Sequence, residues 1–474
     1  MKSTNTKNKN IFKHAWPAYI TKISIVLPVA AVYINMIIIS ALLWPGEIFH
    51  SFELGLMLGF STFMMAFSGL LFGSLTDRYS RKKLFSIAIS LYGICLISTG
   101  FVPIRLGNIS FYYFFGSLLS QSFFAGAFGP IEMSFINDCI EQSKRSEFYG
   151  SSTALVFIIE NVGTILSAYL FQNLYWRQFY WIIGIIAFLE GIVILFKAKE
   201  PKRGANQEQL KDVLQLENVN YNYNLTRKTI RSTILKPTNM IVIIEGIFTV
   251  VLFAIPTFLL IAYLTGPPIN ISPFTGSIFL VLTGLPATII GSIIFSKISD
   301  RLGKRNIRNR IYLILISIMG LFLLLIPVFL IPLPHFSIEQ GKNLGIVLGY
   351  PEIWILGILA FIADMIVILY VINQPPILQI INLPEAQGRV SSVNQFLELM
   401  GAGIGPIVVG FLLINFNYNY QFTVFIIVSI GMIGCLAWLF AIKTIDKDMK
   451  RINSILTERA EELKKEVNLN KYAK

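Results

Sequence analysis

The chain has 474 residues, 54% hydrophobic and only 14% charged, with a mean hydropathy of +0.66. A soluble globular protein carries about 25% charged residues, so that class is excluded. Cys95, Cys139 and Cys435 are too few for a disulfide scaffold and show no metal-ligand spacing. The net charge of +13 would indicate nucleic acid only if basic residues clustered on a soluble face, and they sit instead between apolar runs.

A helix needs about 20 apolar residues to cross a bilayer. The chain offers twelve such runs. The first six are Ile23–Trp44, Leu54–Leu75, Leu84–Val102, Phe111–Met133, Phe148–Phe171 and Phe179–Phe196. The second six are Met240–Leu264, Phe274–Phe295, Ile311–Leu333, Ile353–Val371, Val390–Ile414 and Phe422–Ile442. Only helices or closed barrels satisfy backbone polar groups in lipid, and these runs lack the strict alternation of strands. The expected class is an all-α membrane protein with twelve spans in two six-helix bundles. Residues 23–196 form the first bundle and 240–442 the second. A terminus (1–22), a central loop (197–239) and a tail (443–474) lie outside the membrane. The first run is too long for the core of a signal peptide, and no cleavage pattern follows it.

Lys and Arg set the orientation. The two termini and the even-numbered gaps hold 36 of the 39 basic residues; the odd-numbered gaps hold only Arg105, Arg177 and Lys342. Basic loops stay in the cytoplasm. Both termini are therefore expected there, with the chain in the cell membrane and its basic residues facing anionic lipid. Within the central loop, residues 207–217 suggest a short surface helix. In the tail, Ile445, Met449, Ile452 and Leu456 fall at helical spacing and suggest an amphipathic helix near the headgroups.

Two loops repeat. Gly73-Ser-Leu-Thr-Asp77-Arg78-Tyr-Ser-Arg81-Lys82 follows the second span, and Ser296-Lys-Ile-Ser-Asp300-Arg301-Leu-Gly303-Lys304-Arg305 follows the eighth. The Asp can cap the next helix and the basic residues can meet phosphates. Duplication at the same place in each half marks an internal repeat. With this pair the chain resembles the major facilitator superfamily, whose loop reads G-x-L-x-D-R-x-G-R-[RK]; Ser80 and Ser296 each replace a glycine of that pattern. Within the superfamily it looks most like the Spinster-like group. Trp176-Arg177, Lys199-Glu200-Pro201-Lys202-Arg203-Gly204, Ala254-Ile-Pro256-Thr257-Phe258-Leu259, Gln374-Pro375-Pro376 and Gly401-x-Gly-x-Gly405-Pro406 carry that likeness.

The resemblance implies a transporter that opens its site alternately to each side. It also implies a cytoplasmic latch of Asp77, Arg78 and Arg81 with Asp138 and Arg145, matched by Asp300, Arg301, Lys304, Glu385 and Arg389; a static lipid anchor is the alternative. Other family positions are missing. Asn35 and Met36 stand where an Asp-Arg pair is common, Leu118 and Ala125 where span four carries Arg and Glu, and Ala402 near an acidic position. The family's coupling carboxylates therefore cannot be carried over.

Six acids fall inside the spans: Glu132, Glu160, Glu190, Glu245, Asp364 and Glu398. No Lys or Arg does, although Lys22 borders the first. Charges in the bilayer cost about 2.5–3.5 kcal/mol each, so they face cavities, pair, or reach water. Glu132 and Glu190 lie near the cytoplasmic side, where a carboxylate can snorkel. Glu160 shares a face with Thr153, Phe157, Thr164 and Ser167, beside Asn161. Ser391, Asn394, Gln395 and Glu398 form a similar stripe in span eleven. These stripes are the first candidates for a substrate or coupling-ion site, against the alternative of interhelical hydrogen bonding. Glu245 with Thr249, Asp364 and Asn35 complete the set. Pro256, Pro286 and the span-eleven glycines suit bending or close packing.

The expected activity is secondary transport of a small organic or amphiphilic solute, with protons as candidate coupling ion. A Spinster-type lysolipid carrier is the alternative within transport. A receptor or scaffold is the alternative outside it, and the duplicated loop disfavours that. No ATP-binding loop, H-E-x-x-H or G-x-S-x-G pattern is present, so no enzyme, cofactor or metal is expected. The expected partners are the solute and membrane lipids, the expected state a monomer, and no nucleic acid is expected.

Overall fold

The computed structural model describes residues 2–76, 78–140, 142–200 and 235–472, and among them every regular element is a helix. In chain order these are α1 (Lys2–Ile34), α2 (Met36–Leu43), α3 (Ser51–Thr76), α4 (Arg81–Gly100), α5 (Asn108–Cys139), α6 (Gln142–Gln172) and α7 (Trp176–Lys197). Then follow α8 (Pro237–Val251), a π-helical turn (Ile255–Leu259), α9 (Leu260–Thr265), α10 (Pro273–Arg305), α11 (Arg308–Val328), α12 (Ile338–Lys342) and α13 (Leu344–Leu348). The chain closes with α14 (Pro351–Ile380), α15 (Pro384–Asn415) and α16 (Tyr420–Tyr472). Eleven helical stretches among the described residues are long and apolar enough to cross a membrane. The remaining expected span is α5, which is 32 residues long but diluted by Gly116, Ser117, Ser120, Gln121 and Ser122. Its polar groups are used internally: Gln121 donates to Thr99, which also bonds Ser117.

Two compact units emerge. One comprises Met1–Glu217, Ile261–Ile278 and Phe336–Asn343; the other comprises Asn218–Leu260, Phe279–His335 and Leu344–Lys474. The same helix pairings recur in each. The first span packs on the fifth and sixth (α1 on α6 and α7; α8 on α15 and α16). The third packs on the fourth and sixth (α4 on α5 and α7; α11 on α14 and α16). That recurrence is the repeat seen in the two loops, expressed as packing.

Two spans are broken where one continuous helix was expected. At Asn35 the backbone leaves the helix (φ −101°, ψ 16°), and the side-chain Nδ2 donates to Ala31 O at 2.9 Å. A side-chain amide that bonds the helix backbone competes with its ladder and interrupts it. In the seventh span, Pro256 supplies no N–H and its ring needs room, and the helix widens there into the π turn. Pro286 lies within α10, which runs on without a break.

Lys22 lies inside the first membrane helix rather than at its border, and its Nζ donates to Glu132 Oε2. Glu132 is thus paired inside its own unit. The eight-residue offset between the apolar run at Ile23 and the start of the membrane helix at Ala15 concealed this cation. Close approach of α4 and α7 depends on glycine: a Cβ at Gly93 would sit 2.6 Å from both Gly184 O and Phe188 N.

The tail is not a separate surface helix. α16 runs unbroken for 53 residues, the last span included. Its apolar stripe packs on protein rather than turning to lipid: Ile452, Ile455 and Leu456 meet Leu383 and Ala386 at the α14–α15 corner. The surrounding polar groups explain the docking. Asp448 Oδ2 accepts from Thr238 N at 3.1 Å, capping α8, and Thr238 and Thr444 hydroxyls bond at 2.8 Å. Asn239 and Asn382 exchange side-chain amide bonds, each 2.8 Å. Lys236, one residue ahead of the span, donates to Ile381 O at 2.6 Å. Burial pushes the Lys236 ammonium down to about 8, Asp448 opposing the shift and Arg451 adding to it. The surface helix suggested for residues 207–217 lies outside the described residues.

Two outcomes are expected. Gly93→Val should cost at least the roughly 1–3 kcal/mol of an overpacked core, whereas Gly116→Ala, which meets open space, should leave thermal unfolding in detergent unchanged. Equal melting temperatures for both variants would contradict the close α4–α7 contact. Lys236 binds its proton less tightly folded than unfolded, so its contribution to stability should rise as pH climbs from about 8 to the ordinary lysine value of 10.5. Wild type should therefore gain melting temperature on Lys236→Met across that window, and a constant difference would refute the buried ammonium.

Candidate functional site: a two-carboxylate cluster

Three helices of the second unit bring their polar positions to one place. α8 contributes Glu245 and, one turn on, Thr249. α14 contributes Tyr370 and Gln374, also four apart. α15 contributes Asn394 and Glu398 at the same spacing, so each pair shares a helix face. Thr249 Oγ1 donates to Glu245 Oε2 at 2.7 Å, and Tyr370 Oη donates to Glu245 Oε1 at 3.2 Å. Gln374 Nε2 lies between the acids, 3.3 Å from Glu245 Oε1 and 2.7 Å from Glu398 Oε1. Asn394 Nδ2 donates to Glu398 Oε1 at 2.9 Å.

Glu245 is fully buried, and Thr249, Tyr370, Gln374 and Asn394 are buried with it. The helices approach closely because α8 is bare where α15 crosses it. A Cβ at Gly246 would lie 3.0 Å from Glu398 Cγ, and one at Gly401 would lie 2.5 Å from Ile247 O. The donors are a hydroxyl, a phenol and two carboxamides; none is a cation. Asn394 Oδ1 is buried with no partner among the described residues. A carboxamide presents a donor on one face and an acceptor on the other, and turning it over exchanges them. Gln374 and Asn394 can therefore bond either a carboxylate or a carboxylic acid.

The structure thus brings Glu245, Asn394 and Glu398 together. Tyr370 and Gln374 were not anticipated as site residues. Their signal was two polar side chains four apart on an apolar span, just before Pro375-Pro376. The other candidates stand elsewhere. Asp364, on α14, lines a separate apolar cavity of about 120 Å³, and no described residue donates to its carboxylate. Gln395 is exposed.

In the first unit Glu160 is exposed. Much of its stripe bonds its own helix: Thr164 Oγ1 to Glu160 O, Asn161 Nδ2 to Phe157 O, and Ser167 Oγ to Thr164 O. Asn35 is fully buried, its Oδ1 without a partner among the described residues. Glu190 Oε2 and Ser24 Oγ are also buried, and the two side chains interact with each other.

At the loop ends, Arg81 Nε donates to Ser134 Oγ at 2.6 Å. Glu200, just after α7, accepts from Ser80 Oγ at 2.6 Å and from Arg81 N and Lys82 N at 2.9 Å, capping α4. In the second unit Asp300 pairs with Arg310 at 2.9 Å, and Arg310 Nη1 also reaches Asn373 Oδ1 at 3.1 Å. Asn373 Nδ2 in turn donates to Ser299 Oγ at 2.9 Å. Arg78, Arg301 and Lys304 are exposed. Asp77 and the side chains of Asp138, Arg145, Glu385 and Arg389 lie outside the described residues.

A family model described as Major Facilitator Superfamily matches residues 25–383. Among solved structures, a bacterial homolog of the human lysosomal transporter Spinster, inward-facing and unoccupied, superposes with a TM-score of 0.66 at 14% identity, over 93% of this chain and 98% of that one. The xylose transporter XylE from E. coli, inward open, gives 0.64 at 14% identity over 94% and 99%. A mutant of the nucleoside transporter NupG gives 0.58 at 13% identity over 90% and 99%. No curated protein matches the chain.

Gln374→Leu tests the cluster. Removing the shared amide strips Glu398 of its shortest donor, and an unsatisfied buried polar group costs about 1–3 kcal/mol. Thermal unfolding should show that loss. A neutral outcome would mean that Gln374 does not bridge the acids.

Proposed function

The chain belongs to the Major Facilitator Superfamily, and from that premise we propose that it is a secondary active transporter of a small organic or amphiphilic solute, driven by proton exchange at Glu245 and Glu398. The observation that carries this is the cluster itself: two acids linked through Gln374, enclosed by neutral donors, with no Lys or Arg among them. Two carboxylates in a low-dielectric site repel, and one proton removes that repulsion. The proton converts one carboxylate oxygen into an O–H donor. Gln374 or Asn394 then turns its carbonyl to accept, and the vacant Asn394 Oδ1 is already available for this. The site is thus suited to both protonation states, as a coupling site must be. A D-xylose–proton symporter of the same fold, with a TM-score of 0.61 at 15% identity, couples transport to protons according to its name.

The proposed placement has both termini in the cytoplasm of a cell membrane, supported by the odd-numbered gaps holding only Arg105, Arg177 and Lys342 of the 39 basic residues. Alternating access supplies the transport cycle. The cytoplasmic ends of α4 and α10 with their ion pairs and caps are the proposed latches, with Asp300–Arg310 the pair in the second half.

Glu398→Gln and Glu245→Gln should abolish accumulation driven by a pH gradient in proteoliposomes, reducing it to the level seen without a gradient. Counterflow exchange of the same solute should persist. The solute is whichever of a panel of sugars, amines and lysolipids the wild type accumulates. Wild-type accumulation by both variants would remove the coupling role.

A further inference from the structure

We propose that Asp364 and the cavity it lines form a recognition site for a small lipophilic amine: one cationic nitrogen on a compact apolar body. The cavity holds about 120 Å³ inside the second unit, beside the π turn of the seventh span. Its walls include Phe253, Pro256, Leu280, Leu325, Phe329 and Val367, and Asp364 is its one titratable lining group. No Lys, Arg or His lines it. No described residue donates to the Asp364 carboxylate. Gly284 stands opposite, where a Cβ would come within 3.1 Å of Asp364 Oδ2, so the carboxylate fits only because that position is bare.

This combination selects a ligand class. A carboxylate at an apolar wall must be matched by a counter-charge or a proton. An anion is repelled. A sugar would leave its hydroxyls unpaired against Leu and Phe, at the cost of each lost hydrogen bond. An apolar cavity of roughly 150 Å³ accepts a benzene ring, so the smaller space here suits a short branched alkyl group. An ammonium on that group meets Asp364 in a charge-assisted bond, with the rings of Phe253 and Phe329 in the same wall.

The site is separate from the two-carboxylate cluster but touches it through one contact. Phe253 lines the cavity, and its ring meets that of Tyr370 edge-on, with centroids 6.5 Å apart at 72°. Tyr370 is the phenol that donates to Glu245. An occupant that moves Phe253 therefore acts on a donor of the proton site. The purpose assigned to the cavity rests on the transporter reading; its geometry does not.

The test uses the full chain in lipid nanodiscs with two probes of one shape, isobutylamine and isobutyl alcohol, measured by calorimetric titration near neutral pH. Wild type should bind isobutylamine at least about tenfold more tightly than the alcohol, the scale of one charge-assisted bond. Asp364→Asn should abolish that preference, and Ala360→Leu, which fills the cavity, should weaken both probes. Equal affinity of wild type for the two probes would overturn the proposal without recourse to any variant. A preference that survives in Asp364→Asn would do the same. Proton-driven accumulation in Glu398→Gln is a separate measurement, so either reading can fail while the other stands.

Discussion

Hydrocarbon offers a buried carboxylate no water, so each acid in a span must find a donor, a cation, a proton or a route to the surface. This chain uses several of these solutions. Glu132 takes a cation, Lys22. Glu245 and Glu398 take neutral donors and share one of them. Asp364 is left with an apolar cavity and no donor among the described residues. The differences among these acids carry the functional reading. A carboxylate locked to lysine is a structural joint, whereas a pair held only by neutral amides and hydroxyls keeps its protonation open.

The spans were legible because a stretch of about 20 apolar residues has one dominant meaning. The duplicated Asp-Arg loops announced the repeat, and the matching helix pairings in the two units are its three-dimensional form. The interruptions were less legible. Pro256 is visible as a break, but its resolution into a π turn follows from how neighbouring helices fill the space. Asn35 breaks a helix through a side-chain bond to Ala31, which an apolar run containing one Asn does not announce.

The site was half legible for a related reason. Glu245, Asn394 and Glu398 stand out as polar letters in apolar spans. Which of them meet depends on how far each helix is rotated, and that is set by the bare backbone at Gly246 and Gly401. Helical spacing placed Glu160 and Glu398 on equivalent stripes, yet the Glu160 stripe turns its hydroxyls back onto its own helix, while that of Glu398 reaches across to α14. Tyr370 could pass for an ordinary buried aromatic. Its phenol becomes informative only once Glu245 is found beside it.

The unbroken α16 has a mechanical consequence. Fifty-three helical residues form a rod about 80 Å long. Its lower half is joined to the last membrane span without a hinge and fastened to the α14–α15 corner through Ile452, Ile455 and Leu456. Any reorientation of that span is therefore magnified at the distal end, where a tilt of about ten degrees sweeps several ångströms over a lever of roughly 40 Å. The tail is in effect a pointer, whose swing would report the motion of the bundle to anything waiting at its tip.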